Sequence, residues 1–197
     1  MAETHGTLRL FFALQPAAGQ NAALLERVGP LMARLEAKPV RAENIHATLC
    51  FLGAVAPEDL PRLQAVAAVQ HFAAASLRFD TLEHWQKPRV VCATLGESVI
   101  PQSLRELGTS LAGAAQAAGF KPDEKPFRPH LTLARKIDPV RAAACEWPQP
   151  LVPALLIRCD RFVLMESRRG ELGSTYSVVD SWPLYAHDTD SSSSNIQ

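Results

Sequence analysis

Two histidines sit in the same four-residue setting, His46-Ala47-Thr48-Leu49 and His130-Leu131-Thr132-Leu133. Side chains alternate across an extended chain. His46 and Thr48 therefore share one face, Ala47 and Leu49 the other, and the second motif divides in the same way. The apolar pair can be buried while the polar pair lines a cleft. Neutral imidazole accepts a proton and imidazolium donates one, and an unperturbed pKa of ~6.5 keeps both forms within reach near neutrality. Two such histidines on opposite sides of one phosphorus can run an in-line displacement. One deprotonates the attacking water and the other protonates the leaving oxygen. The threonine hydroxyls can hold the non-bridging oxygens, where negative charge grows. A five-membered cyclic phosphodiester is already strained, so opening it this way asks for no metal.

The remaining polar residues are weaker signals. Catalytic zinc wants about three protein ligands, and no His-x-x-x-His or His-Glu-x-x-His spacing occurs. No metal and no cofactor are expected. His5 and His187 lie near the ends and His71 at a predicted helix end, while His84, beside Trp85 near a strand end, could line the cleft but fits a surface role better. By alternation Arg128 shares the face of His130 and is a candidate phosphate contact, whereas Arg135 points away unless a bulge intervenes. Lys121, Lys125, Arg128, Arg135 and Lys136 outnumber Asp123 and Glu124 in one segment, a path an RNA backbone could follow. Phe11, Phe51, Trp85, Phe127 and Tyr176 are candidates to stack on a base. Alternation puts Phe51 on the face of Leu49, opposite His46 and Thr48.

Regular elements must hold the two motifs. Thr7 to Leu14 alternates as a strand with apolar residues on both faces, which predicts a central position. Leu24, Leu25, Val28, Leu31, Met32 and Leu35 form one helical stripe, ended by Lys38-Pro39. Ile45 to Leu52 reads as a strand stopped by Gly53. Pro57 opens a helix running to about Phe72, with Glu58 and Asp59 in its first turn. Leu77 to Leu82 and Arg89 to Leu95 read as strands joined through Lys87-Pro88. Pro101 opens a helix carrying Leu104, Leu107 and Leu111, stopped at Gly119. His130 to Ala134 is a strand, and Leu155 to Met165 pairs with Ser174 to Val179 around a turn at Ser167-Arg168-Arg169-Gly170. Strand, helix and His-x-Thr strand thus follow one another twice. This predicts an α+β, bilobal fold: two pseudo-symmetric lobes of mainly antiparallel sheet facing a central cleft, with helices outside.

The chain has 197 residues, 47% of them apolar and 20% charged, enough for two small lobes sharing a core. Residues 1–186 are expected to form a single bilobal domain and residues 187–197, with four consecutive serines, a disordered tail. Formal net charge is zero, so any nucleic-acid surface must be local. Cys50, Cys92, Cys145 and Cys159 form no C-x-x-C pair and read as reduced thiols. No signal peptide and no apolar run of the ~20 residues a membrane span needs are present. A cytoplasmic monomer is the expectation.

The flanks add a resemblance. Leu8-Arg9-Leu10-Phe11-Phe12-Ala13-Leu14, then Glu43-Asn44-Ile45-His46-Ala47-Thr48-Leu49-Cys50-Phe51-Leu52-Gly53, then Arg128-Pro129-His130-Leu131-Thr132-Leu133-Ala134-Arg135 resemble the 2H phosphoesterase superfamily. Within it they look like the RNA 2',3'-cyclic phosphodiesterases, once described as 2'-5' RNA ligases. The similarity runs from about residue 7 to residue 183. It implies metal-independent hydrolysis of a 2',3'-cyclic phosphate, on an RNA 3' end or a small nucleotide, to a 2'-phosphate. It implies His46 as proton donor to O3' and His130 as proton acceptor from water, with Thr48 and Thr132 on the phosphate, and it makes Arg135 a second candidate phosphate contact. Ala47 is smaller than the apolar residue expected there. The same site would also serve 2'-5' RNA ligation or cleavage of a 2'-5' linkage. A catalytically silent RNA-binding module is the remaining alternative, against which the complete His and Thr set argues.

Overall fold

The computed structural model describes residues 6–16, 18–96, 98–170 and 173–185. The expected tail, His5 and His187 lie outside the described residues. Among the described residues, eight strands build two four-stranded antiparallel sheets. The first contains β1 (Leu8–Leu14), β2 (Ala47–Val55), β7 (Arg161–Gly170) and β8 (Gly173–Pro183) in the order β2-β1-β7-β8. The second contains β3 (Ala75–Trp85), β4 (Val90–Thr94), β5 (His130–Arg135) and β6 (Gln149–Cys159) in the order β5-β4-β3-β6. The predicted repeat is visible in this ordering. β1, helix α1 (Ala18–Arg34) and β2 correspond to β4, helix α3 (Gln102–Ala117) and β5. In each sheet the His-x-Thr strand is the outer one, beside its inner partner.

The two halves are interleaved, not stacked end to end. Gln20 and Arg27 of α1 donate to the carbonyls of Leu156 and Pro153 in β6, on the other sheet, while α3 packs against β2. Both helices therefore reach from their own sheet to the opposite one, and one continuous core joins Leu10 and Phe12 of β1, Phe79 of β3 and Leu131 of β5. Of the predicted stripe, α1 buries Leu24, Val28, Leu31 and Met32, Leu35 is buried just past its end, and Leu25 is only partly buried. Helix α3 buries Leu104, Leu107 and Leu111 and ends where Gly119 takes φ +88°, a left-handed C-terminal stop that glycine adopts without strain. The four cysteines are free thiols, with Cys50, Cys92 and Cys159 buried. Among the described residues no helix is long and apolar enough to cross a membrane.

Several boundaries differ from the sequence reading. Gly53 does not stop β2: at φ +75° it sits beside a register slip, Leu10 facing Gly53 and Phe11 facing Phe51, and the strand runs on to Val55. The helix after Pro57 is a 3-10 turn followed by α2 (Leu60–Ala68), and Phe72 lies beyond it. Leu155 to Met165 is two strands: Asp160 separates β6, which pairs with β3, from β7, which pairs with β1 and β8. The apolar pattern continues across this break because both sides are buried, so periodicity alone cannot see the change of sheet. Ser167-Arg168-Arg169-Gly170 is not a turn but the end of β7, in register with Gly173 to Tyr176. Turn-forming residue types yield there to cross-strand pairing.

Candidate active site

β2 and β5 approach one another as outer strands of the two sheets; β5 carries its whole motif, whereas His46 lies immediately before β2, which carries Thr48. Both contain a bulge at the same motif position. Ala13 faces Thr48 and Phe12 faces Cys50, which leaves Leu49 unpaired. Cys92 faces Thr132 and Val91 faces Ala134, which leaves Leu133 unpaired. One extra residue reverses the alternation beyond it. Hence Leu49 and Cys50 are both buried, as are Leu133 and Ala134, and the next residue, Phe51 or Arg135, returns to the face of the histidine. The alternation count that set Phe51 opposite His46 and Thr48 is thereby corrected. Both residues line the cleft.

Loops from the opposite half hold these strands. Val40, after α1, donates its amide to the carbonyl of the bulged Leu133 at 2.7 Å, and Asp123, after α3, donates to Phe51 at 2.8 Å. An unpaired bulge carbonyl and an exposed strand edge are thus both satisfied.

The cavity between the motifs encloses about 270 Å³ and is lined by His46, Thr48, Phe51, His130, Thr132 and Arg135, with Arg9, Phe11, Ser167, Ser174 and Tyr176. Among the described residues its charged lining is two arginines and no carboxylate, so it suits an anion. The motif histidines and threonines, placed on one face by alternation, do converge here. Arg9 was open to the same argument, since it precedes Phe11 by two on β1. Ser167 and Ser174 were not, because β7 and β8 join the first sheet from the far end of the chain.

The imidazoles are held alike. His46 Nδ1–H donates to the Asn44 carbonyl at 2.8 Å and His130 Nδ1–H to the Arg128 carbonyl at 2.9 Å. A carbonyl only accepts, so each ring carries its hydrogen on Nδ1 and offers the Nε2 lone pair to the cleft. Aromatic rings pack around both: Phe11 and Tyr176 lie 4.8 Å from His46, and Trp85 lies 4.5 Å from His130, between ring centroids. This burial lowers the His46 pKa to about 4, with the Arg135 charge pushing the same way and the Asn44 carbonyl opposing. Burial also lowers the pKa of His130, assisted by Arg128 and Arg135 and opposed by its carbonyl partner. Both shifts favour the neutral imidazole in the unliganded site.

Of the two flanking arginines only Arg135 lines the cleft, where its Nη2 donates to the Tyr176 hydroxyl at 3.3 Å. Arg128 turns aside: its Nη2 is 3.1 Å from Glu83 Oε2 and its guanidinium lies 4.8 Å over the Trp85 ring. Glu83 also accepts from Trp85 Nε1 at 2.6 Å, so Arg128 and Glu83 together brace the ring behind His130. Among the aromatic candidates Phe11, Phe51 and Tyr176 line the cleft and Trp85 backs it, while Phe127 packs beside Gly108 of α3. His71 stacks on Tyr185 and His84 lies near Trp147, both outside the cleft. Among the described residues no three His, Cys, Asp or Glu side chains converge as metal ligands.

The family model for LigT-like phosphoesterases matches residues 13–92 and 95–176, most of the chain. This protein belongs to the LigT-like phosphoesterases. As a family member it is 32% identical to the RNA 2',3'-cyclic phosphodiesterase of Escherichia coli over 127 residues, 64% of this chain and 71% of that one. It is 30% identical to the RNA 2',3'-cyclic phosphodiesterase of Thermus thermophilus over 191 residues, 90% of each chain. The crystal structure of E. coli LigT complexed with 3'-AMP superimposes with a TM-score of 0.78 at 27% identity, covering 90% of this chain and 98% of that one. The α+β fold of antiparallel sheets and helices expected from the sequence is thus the fold observed.

Proposed function

We propose that this LigT-like phosphoesterase hydrolyses RNA 2',3'-cyclic phosphodiesters, leaving a 2'-phosphate, by acid–base catalysis between His46 and His130. One observation carries the reading: two imidazoles, each with its Nδ1 hydrogen engaged by a carbonyl and its Nε2 left free, line one cavity that holds arginine and, among the described residues, no carboxylate. The relatives named above, which act on RNA 2',3'-cyclic phosphates, support it. In the proposed step His130 Nε2 takes a proton from water as its oxygen bonds to phosphorus. The P–O3' bond breaks in line, and His46 delivers a proton to O3'. Thr48 and Thr132 donate hydroxyl hydrogens to the non-bridging oxygens, and Arg135 supplies positive charge beside them. Ring strain in the cyclic diester assists departure of O3', so the reaction proceeds without a metal ion.

The test is incubation of the protein, with EDTA, with a short RNA ending in a 2',3'-cyclic phosphate, followed by identification of the product terminus. A 2'-phosphate end is expected. His46→Ala and His130→Ala should each lower the rate by roughly 10²–10⁴, the usual weight of one general acid or base, while circular dichroism stays unchanged. Full activity in either variant refutes the mechanism.

A further inference from the structure

We propose that RNA upstream of the reacting end is bound in a second groove, which leaves the cleft past Arg135 and holds successive phosphates on Lys38 and Lys136. The inference rests on the cyclic phosphodiesterase reading and adds to it the path of the strand upstream of the reacting end and the residues that hold it.

The catalytic cavity, at about 270 Å³, lies just below the ~300–1,000 Å³ range of drug-sized ligand sites. It has room for the reacting end and little more. A larger groove of about 830 Å³ adjoins it and shares Thr132, Arg135, Ser174 and Tyr176 with it. Beyond the shared residues this groove is lined, among the described residues, by Lys38, Pro39, Val40, Arg41 and Lys136 with others, and by no carboxylate. Arg41 is answered by Glu43 at 2.9 Å. Among the described residues neither Lys38 nor Lys136 has a carboxylate within ion-pair reach. Unanswered cations along an apolar floor match a single strand, whose phosphates need charge and whose bases need apolar contact.

The groove is built, not incidental. Lys136 takes φ +58° directly after Arg135, a left-handed conformation uncommon for a residue with a side chain. It interrupts the alternation, so that Arg135 and Lys136 both line the same groove. Across from them, Pro39 bridges to Ala134 and Val40 bonds to Leu133, which fixes the loop carrying Lys38 against the edge of β5. The basic segment noted in the sequence, by contrast, does not form one path: Lys125 pairs with Asp123, Arg128 turns to Glu83, and Lys121 lines a separate cavity beside α3.

The discriminating experiment compares wild type with the double variant Lys38→Glu/Lys136→Glu on two substrates, a cyclic mononucleotide and a short RNA carrying the same nucleotide as its 2',3'-cyclic end. For the RNA, kcat/KM at low salt is expected to fall at least about tenfold, and the slope of its logarithm against that of salt concentration to shrink by about 1.4, at ~0.7 for each of two lost phosphate contacts. For the mononucleotide, kcat/KM should stay within about twofold, since neither lysine lines the catalytic cavity. Equal effects on both substrates, or no effect on the RNA, overturn the groove. If wild type turns over neither substrate, the hydrolase reading is what fails. The groove is then judged by fluorescence anisotropy of the same RNA, and undiminished binding to the double variant rejects it.

Discussion

A general acid must carry a proton when the leaving oxygen departs, yet His46 in the empty cleft has a pKa of about 4 against an ordinary 6.5. At pH 7 about one molecule in a thousand would hold the imidazolium. The substrate has to restore the proton. A phosphodiester brings one negative charge; at ~4 Å and an effective dielectric of ~20 it stabilises an adjacent cation by about 4 kcal/mol. At ~1.4 kcal/mol per unit this raises the pKa by about 3, back into the neutral range. Binding of the cyclic phosphate should therefore take up about 0.9 proton at pH 6 and about half a proton at pH 7. The direct assay is NMR titration of the His46 ring in the His130→Ala variant, in which loss of the base slows turnover, with and without saturating cyclic mononucleotide. The expected result is a shift from about 4 to near neutrality. A His46 pKa that stays near 4 in the complex refutes the argument and transfers the donor role to His130. The kinetics follow with the same sign. kcat/KM reports the free protein and should decline as pH rises above the depressed histidine range, whereas kcat reports the complex and should hold to higher pH.

Three further outcomes are expected. Thr48→Ala and Thr132→Ala should each reduce kcat on the order of 10²-fold, the effect of losing one preorganised donor to a developing oxyanion, measured with the cyclic mononucleotide. Arg135→Gln should raise the pKa of both histidines, since its charge lowers each, and should raise KM; an NMR titration that finds the histidines unmoved would contradict the placement of its charge. Gly96→Ala should destabilise the fold, because Gly96 has φ +54° and an added Cβ would strike Thr81 Oγ1 and Asp80 Oδ1. A cost of about 2 kcal/mol, read as a fall in Tm of about 4–8 °C, is the expectation.

The motifs themselves, the face each histidine shares with its threonine and the acid–base chemistry open to them were legible in the sequence, because alternation along a strand is a local rule. The helical stripes of α1 and α3 were legible for the same reason, and the two copies of strand, helix and motif disclosed the pseudo-symmetry. What lay beyond reach was anything set by a partner strand. The bulges at Leu49 and Leu133 exist only in register with β1 and β4, yet they turn Phe51 and Arg135 into the cleft. Ser167, Ser174 and Tyr176 reach the site because the chain leaves the second sheet at Asp160 and returns as β7 to pair with β1, a choice that apolar spacing does not encode. The depressed histidine pKa values are likewise tertiary. They come from burial under Phe11, Tyr176 and Trp85 and from the nearby arginine charges, so a residue type supplies the imidazole while the assembled walls of the cleft decide when it holds a proton.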